Sequence, residues 1–188
     1  EEFELSQSYT FFWDKYEKAN YFHENILKTA GEPVTSRNVA FLLQTPQQDG
    51  GQWDMIVSIF KKYGVVPKSV MPESFSSSAS SDLNKYLNKK LRQDAKVLRD
   101  LVARGASEAE INETRKQLMR EVYDLLSVTL GTPPETFYFE YRDKDKEFHR
   151  HLNLTPQSFF EQFVGLNLDD YVSIINSPTS DKPFNRSY

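Results

Sequence analysis

The stretch Gln48-Asp49-Gly50-Gly51-Gln52-Trp53-Asp54-Met55 sets the reading of this chain. With Gln47, its first half is polar and carries a glycine pair, so residues 47–51 read as a turn. Its second half opens a helix from about Gln52 to Tyr63, with Trp53, Ile56, Val57 and Phe60 as the buried set. Gly64 ends that helix as a left-handed stop, since glycine has no Cβ to clash there. Upstream of the turn, a short helix fits Arg37 to Gln44, anchored by Val39, Leu42 and Leu43. Thr35 or Ser36 can cap its start, and Pro46 lies just past its end. Further upstream, Tyr9, Phe12, Trp13, Tyr16, Ala19, His23, Ile26 and Leu27 recur at three- and four-residue steps. They share one face of a helix from about Gln7 to Thr29, closed by Gly31 and Pro33.

Downstream, Val65 to Pro72 reads as extended chain punctuated by two prolines, and the serine-rich run Ser74 to Ser81 as a solvated connection or a long cap. Two long helices follow. The first spans about Asp82 to Arg104 and turns Leu83, Leu87, Leu91, Ala95, Leu98 and Leu101 or Val102 to one side. The second starts at Ser107-Glu108-Ala109-Glu110, a capping-box pattern, and runs through Ile111, Leu118, Val122, Leu125 and Leu126 to Gly131. So short a turn between them predicts an antiparallel pair. Thr136 to Arg142 alternates, with Phe137, Phe139 and Tyr141 on one face, which is a strand period; Glu147 to Arg150 can return as a second strand. Thr155-Pro156 starts a helix carrying Phe159, Phe160 and Phe163 that stops at Gly165. Tyr171 to Ile175 is β-rich and reads as a strand. The expected class is α+β, predominantly helical, in three stretches: residues 1–73, a helix pair at 74–131, and a β-hairpin, short helix and strand at 132–188.

Composition narrows the function. Hydrophobic residues at 38% and charged residues at 27% fit a soluble globular chain rather than a disordered one. A net charge of −4 argues against a general nucleic-acid binder. No apolar run is long enough for a transmembrane helix. The chain has no cysteine, hence no disulfide, no cysteine-ligated zinc and no thiol nucleophile of its own. A cytoplasmic location is the simplest expectation.

The candidate chemical motifs fail one by one. His23-Glu24 begins like the zinc-protease helix motif, but Leu27 stands where the second histidine is required, so His23 reads as a core or interface residue. His149 and His151 share a strand face without a third ligand, and a solvated hairpin end is the better reading. Asp143, Asp145 and Glu147 alternate like calcium ligands, but Lys144 and Lys146 repel a cation and no glycine supplies the sharp turn. Asp169 and Asp170 are adjacent and would face apart on a strand. Lys85, Lys89, Lys90, Arg92, Lys96, Arg99 and Arg104 give the first long helix a basic face, read as solvated. No metal and no cofactor are expected.

Two stretches are specific beyond pattern. One is Phe3-Glu4-Leu5-Ser6-Gln7-Ser8-Tyr9 with Phe11-Phe12-Trp13-Asp14-Lys15-Tyr16-Glu17-Lys18-Ala19-Asn20. The other is Gln48 to Met55 with Tyr63-Gly64-Val65-Val66-Pro67-Lys68. With Tyr141-Arg142-Asp143-Lys144-Asp145 and Pro178-Thr179-Ser180-Asp181-Lys182-Pro183, they resemble the bleomycin hydrolase and aminopeptidase C family of papain-like cysteine peptidases. The resemblance covers essentially the whole chain and favours the bacterial aminopeptidase C branch over papain proper.

The resemblance implies the helices of the papain-like left domain, with 74–131 as a helical insertion. It also implies a thiolate nucleophile, a histidine base and an orienting asparagine. In the family the cysteine precedes the segment that begins here at Glu1, and the histidine and asparagine follow Tyr188. No catalytic role therefore falls on His23, His149 or His151, and the chain alone is expected to be inactive. Asp49, Gly50 and Gly51 match the family's substrate-binding turn, where a glycine lets an extended peptide backbone come close. Read without the resemblance, the glycine pair is a tight turn before a helix. Peptide substrates and a homohexamer facing an internal channel are the partners the resemblance implies. The competing reading of the whole chain is a non-catalytic helical interaction or assembly module.

Overall fold

The computed structural model describes residues 3–174 and 179–185. The elements are α1 (Gln7–Lys28), α2 (Arg37–Gln44), α3 (Trp53–Tyr63), α4 (Phe75–Ser78), α5 (Ser81–Ala103), α6 (Glu108–Leu130), β1 (Phe137–Arg142), β2 (Phe148–Leu154) and α7 (Pro156–Phe159). The α+β, mainly helical class holds.

Three long helices build the main core. His23 of α1 meets Asp94 of α5, and Arg99 of α5 reaches the Thr29 carbonyl, so α1 and α5 run parallel. Lys90 of α5 meets Glu121 of α6, and Arg104 meets Glu110, so α5 and α6 run antiparallel as the short connection predicts. The leucines read from the α5 periodicity, Leu83, Leu87, Leu91, Leu98 and Leu101, are buried with Ala95. All of these but Leu101 pack with Phe12, Phe22 and Ile26 of α1 and Leu118, Val122 and Leu126 of α6. The Ser107 hydroxyl accepts from the Glu110 amide, but only this half of the capping box forms. The Glu110 carboxylate turns to Arg104 instead.

A satellite cluster of Val65, Phe139, Leu154 and Phe159 sits under the hairpin. β1 and β2 are antiparallel and pair Phe137 with Leu154 and Arg142 with Phe148, so β2 runs further than the 147–150 expected. Gly64 joins the two clusters. Its φ of 70° is in the left-handed half that favours glycine, as the helix stop required, although ψ at −157° lies outside the left-handed helical well. A Cβ there would lie 2.2 Å from the Pro156 carbonyl carbon, so close packing also demands glycine. Val65 donates to the Pro156 carbonyl at 3.1 Å beside it.

Other expectations change in detail. The serine run is partly helical: Ser74 and Ser77 form a reciprocal capping box around α4. The helix after Thr155 converts at Phe160–Val164 into a π-helical turn and stops at Gly165, as read. The strand expected at Tyr171–Ile175 does not form over 171–174, where the chain pairs with no strand among the described residues. Ile175 lies outside the described residues. Asp169 and Asp170 lie in a 3₁₀ turn, Leu168–Asp170, rather than a strand. No helix among the described residues is long and apolar enough to cross a membrane.

Candidate functional site

The turn before α3 is held from two sides. From α1, Lys15 is fully buried, and its Nζ donates to Gln47 Oε1 and Asp49 Oδ1, each at 2.5 Å. One helical turn later, Lys18 Nζ donates to the Gln48 and Gly50 carbonyls, both at 2.8 Å, and to Asp14. From α5, Asn84 Nδ2 reaches both Asp49 oxygens at 2.8 and 2.9 Å, and Ser80 Oγ reaches Oδ2 at 2.8 Å. Burial pushes the Asp49 carboxyl up, but donors from Lys15, Asn84 and Ser80 outweigh it and hold its pKa at about 2. Burial also drives the Lys15 pKa down, opposed chiefly by Asp49.

Gly50 and Gly51 are exposed, and neither requires its glycine for the chain's own sake. Neither has positive φ, and a Cβ at either would meet nothing within 4 Å. Gly51 makes no hydrogen bond among the described residues, so its amide and carbonyl are free to pair with another extended backbone. It lines a groove of about 600 Å³ together with Ser6, Thr10, Phe11, Trp53 and Met55. The groove explains a difference on α3. Trp53, read as buried, is 38% exposed at this wall, and the residue α3 buries is Ile59.

The sequence pattern of the Peptidase C1-like family matches residues 1–188. The chain belongs to this family. Aminopeptidase C of Streptococcus thermophilus is 59% identical over 188 residues, all of this chain and 42% of that protein. Aminopeptidase C of Listeria innocua is 57% identical over 187 residues, again 42% of its length. A crystal structure of PepW from Lactobacillus rhamnosis HN001 superposes with a TM-score of 0.93 at 62% identity. It covers 98% of this chain and 41% of that one. The chain thus spans about two fifths of the length of these family members.

Within this peptidase-family chain the remaining candidates fall outside the groove. His23 is buried against Asp94 at 3.0 Å, a core histidine as its apolar helix face indicated. His149 Nε2 donates to Asp143 Oδ2 at 2.9 Å, and His151 stacks parallel to Tyr141. Asp143 Oδ1 accepts the amides of Asp145 and Glu147, so this is a polar turn. Among the described residues no group of three or more acidic, histidine or cysteine side chains is placed to hold a metal. Asp169 pairs with Lys61. The basic face of α5 is less solvated than expected. Arg92 donates to the Leu43 and Gln44 carbonyls at the end of α2, and Arg99 to those of Thr29 and Glu32 beyond α1.

Reading the sequence missed Lys15, Asn84 and Asn88. Lys15 lies between Phe12 and Ala19 on the buried side of α1, where a charged residue breaks an apolar stripe. That break was the available signal, because a buried lysine requires a partner.

Proposed function

We propose that this chain is part of a cysteine aminopeptidase, in which Asp49, Gly50 and Gly51 form a turn that binds the peptide backbone. The observation that carries the reading is Gly50-Gly51 itself. It is a glycine pair that the fold does not need, at the edge of an open groove, with an unpaired backbone at Gly51. Glycine conserves closeness of approach, and here the approaching group must come from outside the chain. The names of the matched relatives, aminopeptidase C, support the same chemistry. A thiolate nucleophile, a histidine base and an asparagine then come from the rest of the polypeptide, since this sequence contains no cysteine. The α5–α6 pair serves in this reading as an insertion that supports a homohexamer, and the cysteine-free composition fits a cytoplasmic enzyme.

The test is turnover of an aminoacyl arylamide and of short peptides. The full-length protein releases N-terminal residues and loses activity on thiol alkylation, while the 188-residue chain alone gives no turnover. Activity of the isolated chain, or a full-length enzyme indifferent to alkylation, would overturn the proposal.

A further inference from the structure

Residues 46–51 make no backbone-to-backbone hydrogen bond among the described residues. Their path is therefore set by side chains, and most of these come from one stripe of α5. Ser80, Asn84, Asn88 and Arg92 recur every four residues, which places them in a row along one helix face. The row follows the segment in order. Arg92 holds the Leu43 and Gln44 carbonyls at 2.7 Å, and Asn88 Oδ1 accepts the Gln47 amide at 3.1 Å. Asn84 accepts from Gln47 Nε2 at 3.0 Å and donates to Asp49, where Ser80 also donates.

Asn84 and Asn88 are poor choices for the helix itself. Asparagine inside a helix is less favourable than alanine, because it competes for backbone bonds. Ser80 occupies the N-cap position but makes no cap hydrogen bond, and its hydroxyl serves Asp49 instead. The stripe lies beside the leucine face rather than within it, so packing does not require it.

We infer that the Ser80-Asn84-Asn88-Arg92 stripe is a set of positioning residues for peptide binding, acting through Asp49 to fix the Gly50-Gly51 backbone. This rests on the reading of Gly50-Gly51 as the peptide-binding turn. It makes α5 a determinant of KM for peptides, although none of its side chains need touch the substrate.

The experiment uses the full-length enzyme with Asn84→Asp, Gly51→Ala and Lys89→Ala as an exposed control. Asn84→Asp is isosteric but removes the donors to Asp49 and sets two carboxylates together. KM for short peptides should rise about tenfold with kcat held within about twofold, the signature of lost binding from a displaced hydrogen-bonding backbone. Iodoacetamide should alkylate the catalytic thiol at the unaltered rate, which a general loss of structure would change. Gly51→Ala should also raise KM, and Lys89→Ala should not. If Gly51→Ala raises KM and Asn84→Asp does not, the stripe is not a positioning device, while the peptide-binding turn stands. If Gly51→Ala leaves KM unchanged, the turn does not bind peptide and the inference falls with it. A matching loss of kcat and of alkylation rate in Asn84→Asp also overturns it, since that marks a structural role.

Discussion

Removing either partner of the Lys15–Asp49 pair should have unequal consequences. Lys15 is fully buried, whereas the Asp49 side chain is 47% exposed. In Asp49→Asn the ammonium stays in the interior with Gln47, the new amide oxygen and the Phe11 ring, 4.9 Å from its centroid, and loses its hydrogen-bonded counter-charge, leaving only the more distant Asp14. Stranding a buried charge in this way costs about 3 kcal/mol. In Lys15→Met an apolar chain of similar length fills the site, and Asp49 keeps Asn84 and Ser80 and gains water. The cost there is about 1 kcal/mol or less. With a urea m-value of about 2 kcal/mol/M for a domain of this size, the midpoints should fall by roughly 1.5 M and 0.5 M. The double variant Lys15→Met/Asp49→Asn should lie nearer the unaltered protein than Asp49→Asn does, because it strands no charge. The pH dependence has a defined sign. Asp49 titrates at about 2 in the fold against an ordinary 3.8. It therefore contributes stability that is complete above pH 3.8 and is lost as pH falls toward 2. Exposure reduces this contribution to about 1 kcal/mol. Asp49→Asn abolishes that slope. In the same variant the buried lysine favours its neutral form further, so the deficit should narrow as pH rises toward lysine's ordinary 10.5. Equal losses in the two single variants, or a larger loss in Lys15→Met, would refute the reasoning.

Two further outcomes follow from packing. Gly64→Ala should cost about 3 kcal/mol or more in thermal or urea unfolding, since positive φ and the Pro156 backbone both reject a Cβ, while Gly50→Ala should change stability by under about 0.5 kcal/mol. Leu91→Ala, at a fully buried position between α1 and α6, should cost about 2–5 kcal/mol, against about 0.5 kcal/mol or less for Val128→Ala, which is 87% exposed.

Helices were legible in this sequence because their signals are local. The α5 leucines repeat with the helical period, Ser36 and Ser107 cap where they stand, and Pro156 begins a helix after Thr155. Tyr171 to Ile175 misled for the complementary reason. β-branched composition describes what a strand needs, but a strand exists only with a neighbour, and over 171–174 none of the described residues supplies one. The reciprocal half of the Ser107 capping box failed because Arg104, a few residues back, competes for the Glu110 carboxylate with a full charge.

The site divides along the same line. Gly50 and Gly51 could be picked out by their resemblance, but what holds their turn is 30 to 41 residues away in sequence: Lys15 and Lys18 on one side, Ser80, Asn84 and Asn88 on the other. A polar side chain on a helix carries no mark in the sequence of whether it meets water or a distant carbonyl. Asn84 and Asn88 therefore carry no signal in the sequence, and Arg92 falls in a basic face that reads as solvated. The physical distinction lies in the segment they serve. A turn that makes no backbone-to-backbone hydrogen bonds of its own is held by donors and acceptors from neighbouring elements. The lenders are then as much part of its geometry as its own residues. On that ground the helix pair that the resemblance sets apart as an insertion is joined to the turn at residues 47–51 by the row of side chains along α5.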